Sequence, residues 1–148
     1  MEDSKKASFP TAALSGFFYG YRAFTAEPDK ILSELGLSRV HHRVMFFLAL
    51  EPESSISALL DRLQVSKQAL HLPLKQLVAQ GWVSTSTDDQ DRRVRRLSLS
   101  AQGAELEQKL RQAQMEHLSK VFEIAGTEAV SGWMKVNALL AETEKHEP

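Results

Sequence analysis

Residues 82–103 read WVSTSTDDQDRRVRRLSLSAQG, and this stretch decides the fold class. Val and Thr alternate with Ser before the polar segment DDQDRR, and an alternation of apolar and polar residues resumes after it. Such alternation on both sides of a polar turn predicts a β-hairpin. The hairpin carries four arginines within five positions, at Arg92, Arg93, Arg95 and Arg96.

The segment directly before the hairpin predicts two short helices joined by a tight turn. Residues 54–64, SSISALLDRLQ, begin with serines that can cap a helix. Ser66 can cap the next helix, which ends at Gly81. Two short helices with one apolar face each match the helix-turn-helix pattern. A helix-turn-helix followed at once by a hairpin is a winged helix, and that order is more specific than either part alone.

Helical periodicity also flanks the winged helix on both sides. Aromatic and leucine residues of 11–25 recur at helical spacing, and Pro28 predicts either a kink or a helix that restarts there. Residues 39–50 form a second predicted helix, and residues from 101 onward form two more, separated at Gly126. The apolar stripes of the last two helices need a partner, either the first helix or a second copy of the chain.

These patterns predict one mainly α domain with a small β wing over residues 1–148. The winged helix-turn-helix occupies the middle, over residues 39–100, and helices over 9–36 and 101–146 flank it.

Composition narrows the possible functions. The net charge is −1, yet residues 39–100 carry nine Lys/Arg against six Asp/Glu, a net of +3. A local basic excess suggests a polyanion partner, although charge alone fits a salt-bridged surface equally well. The absence of cysteine excludes disulfides, thiol catalysis and cysteine-ligated zinc. No apolar run of about 18 residues and no apolar signal core are present, so we expect no membrane span and a cytoplasmic location.

The hairpin resembles the wing signature of the MarR family of bacterial regulators. In that signature an Asp-x-Arg is followed by five residues, then Leu-Thr, and soon after by glycine; here Asp91, Arg93, Leu99, Ser100 and Gly103 occupy those places. Ser100 replaces the usual threonine and retains a hydroxyl that can cap the next helix. The resemblance implies a dimer in which residues 39–100 read DNA and the helices over 9–36 and 101–146 pair the two copies. The two winged helices would read consecutive major grooves of a pseudo-palindromic site, with half-sites about 10 bp apart.

The resemblance also indicates how the wing would contact DNA. Arg93 is the first candidate for insertion into a minor groove, where negative potential attracts arginine, and Arg92 is the second. Asp91 would hold an arginine in place through a bidentate ion pair. Arg95 and Arg96 point to opposite faces of a strand, so at most one can face phosphate. The alternative is that the neighbouring aspartates merely pair with these arginines in solvent.

On the second helix of the helix-turn-helix, polar residues crowd the N-terminal side. Backbone N–H groups there favour phosphate, glutamine can read adenine, and lysine can take guanine or phosphate. Leu72 stands where relatives often carry an arginine, so it could touch a thymine methyl or pack inside the protein. Pro73 cannot donate to the carbonyl of Ala69 and predicts a kink. The predicted DNA contacts of this helix are Ser66, Lys67, Gln68, His71, Leu72 and Lys75.

Many members of the family release DNA when a small phenolic or aromatic acid enters between the dimer helices and the reading part. The resemblance therefore implies an effector pocket, with Arg22 as the group that could hold a carboxylate. Ordinary core packing is the alternative for the aromatic residues. The predicted pocket comprises Tyr19, Tyr21, Arg22, His41, His42 and Phe46.

We predict no metal site, no cofactor and no enzymatic activity. Adjacent histidines on a helix point about 100° apart, so His41 and His42 rarely share one ion. The nucleophile elbow, phosphate loop, zinc-protease and dinucleotide motifs are all missing from the sequence. The sequence predicts a homodimeric, sequence-specific DNA-binding transcriptional regulator, specifically a repressor that an aromatic ligand releases. The alternative is a winged-helix dimer that acts as a protein-interaction module without specific DNA binding.

Overall fold

The computed structural model describes residues 11–144, so the predicted boundaries at residues 9 and 146 lie outside the described residues. Within that range the chain forms six helices and three strands, and the predicted fold class, a mainly α winged helix, is confirmed. No helix among these residues is both long and apolar enough to cross a membrane. The elements in chain order are α1 (Thr11–Glu34), α2 (Arg39–Leu50), β1 (Ser54–Ser55), α3 (Ile56–Leu63), α4 (Lys67–Ala79), β2 (Val83–Thr87), β3 (Arg95–Leu99), α5 (Ala101–Ala125) and α6 (Thr127–Glu144).

The three strands form one antiparallel sheet in the order β1-β3-β2. The β2–β3 hairpin pairs Val83 with Leu99 at its base and Thr87 with Arg95 near its tip. Strand β1 pairs Ser54 with Leu97 on the other edge of β3. The predicted serine cap of this helix is confirmed at Ser55, whose hydroxyl accepts the N–H of Ala58 at 3.1 Å. The sequence did not predict β1, because a two-residue strand is too short to show a period.

Serine side chains begin the helices that build the winged helix. The hydroxyl of Ser66 accepts a hydrogen bond from the N–H of Ala69 at 3.1 Å, and that of Ser100 accepts one from the N–H of Gly103 at 3.0 Å. Both predicted caps are confirmed. Gln64 adopts a left-handed conformation with φ +53° between α3 and α4. These local features define where α4 and α5 begin.

Two prolines lie inside helices and end neither of them. Helix α1 runs through Pro28, which is buried, so the helix does not restart there. Helix α4 runs through Pro73, which has no N–H to donate to the carbonyl of Ala69. Helix α4 is therefore one element from Lys67 to Ala79. Because it is the second helix of the helix-turn-helix, we call it the recognition helix.

The core joins the winged helix to α1, α2 and α5. Apolar side chains from every one of these elements meet in one cluster and are almost fully removed from solvent. Burial of this kind supplies most of the favourable free energy of folding. The most deeply buried members are Leu32, Val44, Met45, Leu48, Leu59, Leu70, Leu77, Leu97 and Leu110.

Gly103 lies where α5 leaves the wing. A Cβ atom on Gly103 would sit 1.9 Å from the backbone carbonyl oxygen of Trp82. That oxygen already accepts a hydrogen bond from the N–H of Ser100 at 3.0 Å, and the Ser100 hydroxyl, which donates to the Gly81 carbonyl at 2.6 Å, lies 3.1 Å from it. The wing therefore approaches the first turn of α5 so closely that only glycine fits.

The outer helices leave large apolar side chains uncovered. Helix α6 buries no residue, and Ile124 near the end of α5 is 88% exposed. Uncovered apolar surface of this extent marks an interaction site. Further exposed apolar residues are Leu14, Phe17, Phe18, Tyr19, Met115, Val121, Trp133, Met134, Val136, Leu139 and Leu140.

Candidate nucleic-acid interface

The recognition helix α4 and the wing enclose a shallow cavity of about 450 Å³. Its floor is apolar and includes Leu70, Leu74 and Leu97. Its wall carries side chains that can bind anions, namely Lys67, His71, Lys75 and Arg95. The structure thus brings predicted residues of the helix and of the wing onto one surface, which we call the reading surface.

The predicted residues of α4 are all accessible. Ser66, Lys67, Gln68, His71, Leu72 and Lys75 are exposed. Leu72 is 58% exposed, so it is not a core residue of the protomer, and the packing alternative is wrong. The helix therefore presents an apolar side chain to solvent amid polar ones, a placement that suits contact with a thymine methyl.

The aspartates of the wing bind mainly to its own turns. Asp88 Oδ1 accepts a hydrogen bond from the N–H of Gln90, and Asp91 Oδ1 accepts one from the N–H of Arg93, both at 3.0 Å. The Arg93 guanidinium reaches Asp91 only through Nε, at 3.4 Å. The predicted bidentate pair is wrong, because the Asp91 oxygen that meets Nε already accepts the backbone N–H that shapes the turn.

The arginines of the wing divide into two sets. Arg96 bonds Asp88 at 2.8 Å. The pKa of Asp88 lies below its ordinary value, mainly because its carboxylate accepts the Gln90 N–H and secondly because it accepts a hydrogen bond from the Arg96 guanidinium. The Arg93 side chain is 93% exposed. Among residues 11–144, Arg92 and Arg95 form no ion pair. Pairing with a neighbouring aspartate therefore accounts for Arg96 and, through one longer contact, for Arg93, while all of Arg92, Arg93 and Arg95 are exposed.

A second cavity of about 290 Å³ lies between α1, α2 and the Gln114 side chain of α5; we call it the effector cavity. Of the predicted pocket residues, Tyr21, His42 and Phe46 line it. Its remaining lining residues are Phe24, Thr25, Pro28, Asp29, Arg39, Arg43 and Gln114.

Three of the predicted pocket residues do not line this cavity. Tyr19 is exposed and packs edge-on against Phe18 on the outside of α1. Arg22 is exposed as well, on a part of α1 outside the cavity lining. His41 is buried and faces α4, where it bonds Gln76. The structure therefore brings only some of the predicted residues to this cavity, because helical spacing shows which residues share a face but not which face meets a neighbour.

The cations of the effector cavity come from α2. Arg39 makes a bidentate contact with Asp29 of α1, with 2.7 Å as the shorter distance, and this hydrogen bonding raises the pKa of Arg39. Arg43 forms no ion pair among the described residues. Burial is the main cause that lowers the pKa of His42. The negative charge of Asp29 raises this pKa, and the positive charge of Arg43 lowers it, so the net direction is downward. Arg43 is therefore the available partner for an anion.

A sequence signal for Arg39 and Arg43 existed. Together with His42 and Phe46 they follow the i, i+3, i+4, i+7 spacing of one helix face. The predicted pocket placed its cation at Arg22 of α1 and did not include Arg39 or Arg43.

A winged helix with an exposed cationic surface defines the class of winged helix-turn-helix DNA-binding proteins. Residues 35–94 match the model described as the MarR family. The HTH-type transcriptional regulator PetP of Rhodobacter capsulatus is 37% identical over 123 residues, which is 83% of this chain and 74% of PetP. The chain belongs to the MarR family and is a transcriptional regulator.

Solved structures show the same fold over almost the whole chain. NadR in complex with 4-hydroxyphenylacetate superposes with a TM-score of 0.72 at 22% identity, covering 99% of both chains. The MarR family transcription regulator SP03579 gives a TM-score of 0.77 at 20% identity, covering 91% of this chain and 92% of its own. At these identities the likeness establishes the fold.

Proposed function

We propose that the protein is a homodimeric repressor that binds a pseudo-palindromic operator through α4 and the wing and leaves it when a small aromatic acid binds. One observation carries this proposal: the Arg93 guanidinium stands almost fully exposed at the wing tip while the neighbouring aspartates bond the turn. A narrow tip with an exposed guanidinium, which contacts Asp91 only through Nε at 3.4 Å, suits the minor groove, where the negative potential is strongest. Arg92 supports Arg93 there.

The recognition helix supplies base contacts in this proposal. Gln68 would bond adenine, and Lys67 would bond guanine or a phosphate. Ser66 caps the N-terminus of the helix, and the backbone N–H groups there favour phosphate. His71, Lys75 and Arg95 line the cavity wall, and there they face the groove walls. Leu72 would contact a thymine methyl.

The partner of the uncovered apolar helices is a second copy of the chain. Most of the exposed apolar residues lie on α1, on the second half of α5 and on α6, and none of these lines the reading-surface cavity. A two-fold interface built from these helices would place two reading surfaces on one side of the dimer. The two surfaces would then meet half-sites about 10 bp apart.

The effector cavity suits a small aromatic carboxylic acid. Tyr21, Phe24 and Phe46 offer ring contacts, and Arg43 offers a cation without an ion pair within residues 11–144. Its volume of about 290 Å³ accommodates a one-ring acid. The ligand in the NadR structure, 4-hydroxyphenylacetate, has this chemistry. Binding would shift the population of dimers away from the DNA-competent spacing.

The wing can be tested by replacing Arg93 with alanine. A duplex is first selected with the wild-type protein from a randomised library, and binding is then followed by fluorescence anisotropy across salt concentrations. We expect Arg93→Ala to weaken binding about tenfold and to lower the log–log salt slope by about 0.9, since one phosphate-region contact is lost. Lys109→Ala, which removes an exposed cation of α5, is the matched control and should bind normally.

The same experiment separates the alternatives. Unchanged affinity of Arg93→Ala would remove the wing from the mechanism. A wild-type protein that selects no duplex would instead favour an interaction module. Sedimentation at micromolar concentration tests the dimer, and a monomer there would contradict the proposed operator geometry.

The effector proposal has its own probe. Titration with 4-hydroxyphenylacetate should release the selected duplex from wild type, and Arg43→Ala should require about tenfold more ligand, because a charge-assisted contact is lost. Equal release from both proteins would exclude Arg43 as the carboxylate partner.

A further inference from the structure

His41 is buried in the first turn of α2 and bonds the recognition helix. The N–H of Ser38 donates to His41 Nδ1 at 2.9 Å. On the other side of the ring, Nε2 lies 2.8 Å from Oε1 of Gln76 in α4. Because Nδ1 accepts a backbone N–H, the neutral ring carries its proton on Nε2, which donates to Gln76. The Ser38 hydroxyl also lies 2.9 Å from Nδ1, so Ser38 meets one ring nitrogen and Gln76 meets the other.

This bond gives α4 a directional attachment. The other contacts of α4 with the core are made by apolar side chains such as Leu70 and Leu77, and apolar contacts carry no preferred direction. A hydrogen bond weakens steeply when its angle changes, so it resists rotation of the helix about its axis. Gln76 follows Lys75 of the reading surface by one residue. Rotation of α4 at Gln76 would therefore move the side chains that face DNA.

The same turn of α2 bonds α1 and lines the effector cavity. Arg39 bonds Asp29 and also the hydroxyl of Thr25, the latter at 3.2 Å. His42, the neighbour of His41, lines the cavity. One turn of helix thus bonds α1 on one side and the recognition helix on the other.

We propose that His41 is a positioning residue that, through Gln76, holds the recognition helix at the rotation required for reading bases. The proposal rests on the proposed function, since it concerns how the reading surface discriminates between sequences. Loss of the bond lets α4 rotate on its apolar contacts. Phosphate contacts of the wing survive this rotation, whereas bidentate base contacts do not. Displacement of α2 by an effector reaches α4 by the same bond.

The test compares binding of the selected duplex with binding of a scrambled duplex of equal length and composition. Gln76→Met removes the acceptor and keeps the side-chain length. We expect its affinity for the selected duplex to fall about tenfold while its affinity for the scrambled duplex stays unchanged. Gln80→Met, the same replacement one turn along and just past α4, is the matched control: it removes the hydrogen bond from Trp82 Nε1 at 3.1 Å but none to α2, and it should retain discrimination.

Two variants of His41 separate the link from the helix cap. His41→Asn places an amide near the position of Nδ1 only, so it can serve Ser38 but not Gln76. His41→Gln reaches further, to the position of Nε2, and can donate to Gln76. We expect His41→Asn to lose discrimination and His41→Gln to restore most of it. A merely structural role would lower stability in both variants and leave the ratio of the two affinities unchanged.

Two further measurements decide the proposal independently of DNA. The Nε2–H proton of His41 should be protected from exchange in wild type and in Gln80→Met. In Gln76→Met this protection should be lost. Amide hydrogen exchange in α4 should accelerate in Gln76→Met alone. Unchanged α4 exchange in Gln76→Met, or retained discrimination in that variant, overturns the proposal. If wild type selects no duplex, the proposed function fails, and the α4 exchange still decides the role of His41.

Discussion

Replacing Gly103 with alanine is expected to destabilise the protein at the junction of wing and α5. The added Cβ would lie 1.9 Å from the carbonyl oxygen of Trp82, whereas carbon and oxygen rarely approach within 3.0 Å. The obstacle is backbone, so no side-chain rotation relieves it. Either α5 or the start of β2 must move by about 1 Å, the difference between these two distances.

The magnitude follows from what this movement costs. Forced backbone shifts in a packed region cost about 1–3 kcal/mol. The Trp82 carbonyl accepts the Ser100 N–H at 3.0 Å, and weakening this hydrogen bond adds about 1 kcal/mol. Alanine recovers about 1 kcal/mol through its higher helix propensity. The net loss is about 1–3 kcal/mol, or roughly 3–10 °C in Tm for a chain of this size.

Urea unfolding followed by far-UV circular dichroism, at equal protomer concentration, measures this loss. Gln102→Ala is the control, because Gln102 is exposed in the same turn and its replacement should change the unfolding free energy by less than about 0.5 kcal/mol. If Gly103→Ala unfolded at the wild-type midpoint, the close approach of α5 to Trp82 would not exist in solution.

Three further outcomes are expected. Leu110→Ala empties a fully buried position of α5 and should cost about 2–5 kcal/mol in urea unfolding; a loss below about 1 kcal/mol would contradict the burial. The folded-state pKa of His42 lies below its ordinary value of 6.5, so the unfolded chain binds more protons. The stability that is present above pH 6.5 is therefore lost as pH falls through the folded-state pKa of His42. His42→Asn should flatten this decline in unfolding free energy, and an equally steep decline in the variant would show that His42 does not cause it. Asp88→Asn keeps the acceptor for the Gln90 N–H but weakens the pair with Arg96. It should therefore raise the affinity for the selected and the scrambled duplex equally, as measured by fluorescence anisotropy. Tightening confined to the selected duplex would show a base-specific effect instead.

Much of the reading surface could be predicted because its signals are local. Alternation around DDQDRR placed the hairpin, and the serines at 66 and 100 marked the starts of α4 and α5. The division between Arg95 and Arg96 followed from the opposite directions of neighbouring strand residues. In the structure Arg96 bonds Asp88 and Arg95 lines the reading-surface cavity.

The sequence by itself determined the order of elements, their caps and the cationic wing, because hydrogen bonds and periodicities within a few residues produce them. Only the tertiary structure decided that Arg43 rather than Arg22 lines the effector cavity, and that His41 bonds α4 while His42 faces the cavity. Those assignments depend on the rotation of α1 and α2 about their axes when they pack. That rotation is set by contacts between residues far apart in the chain, such as Arg39 with Asp29 and His41 with Gln76, which no local pattern encodes.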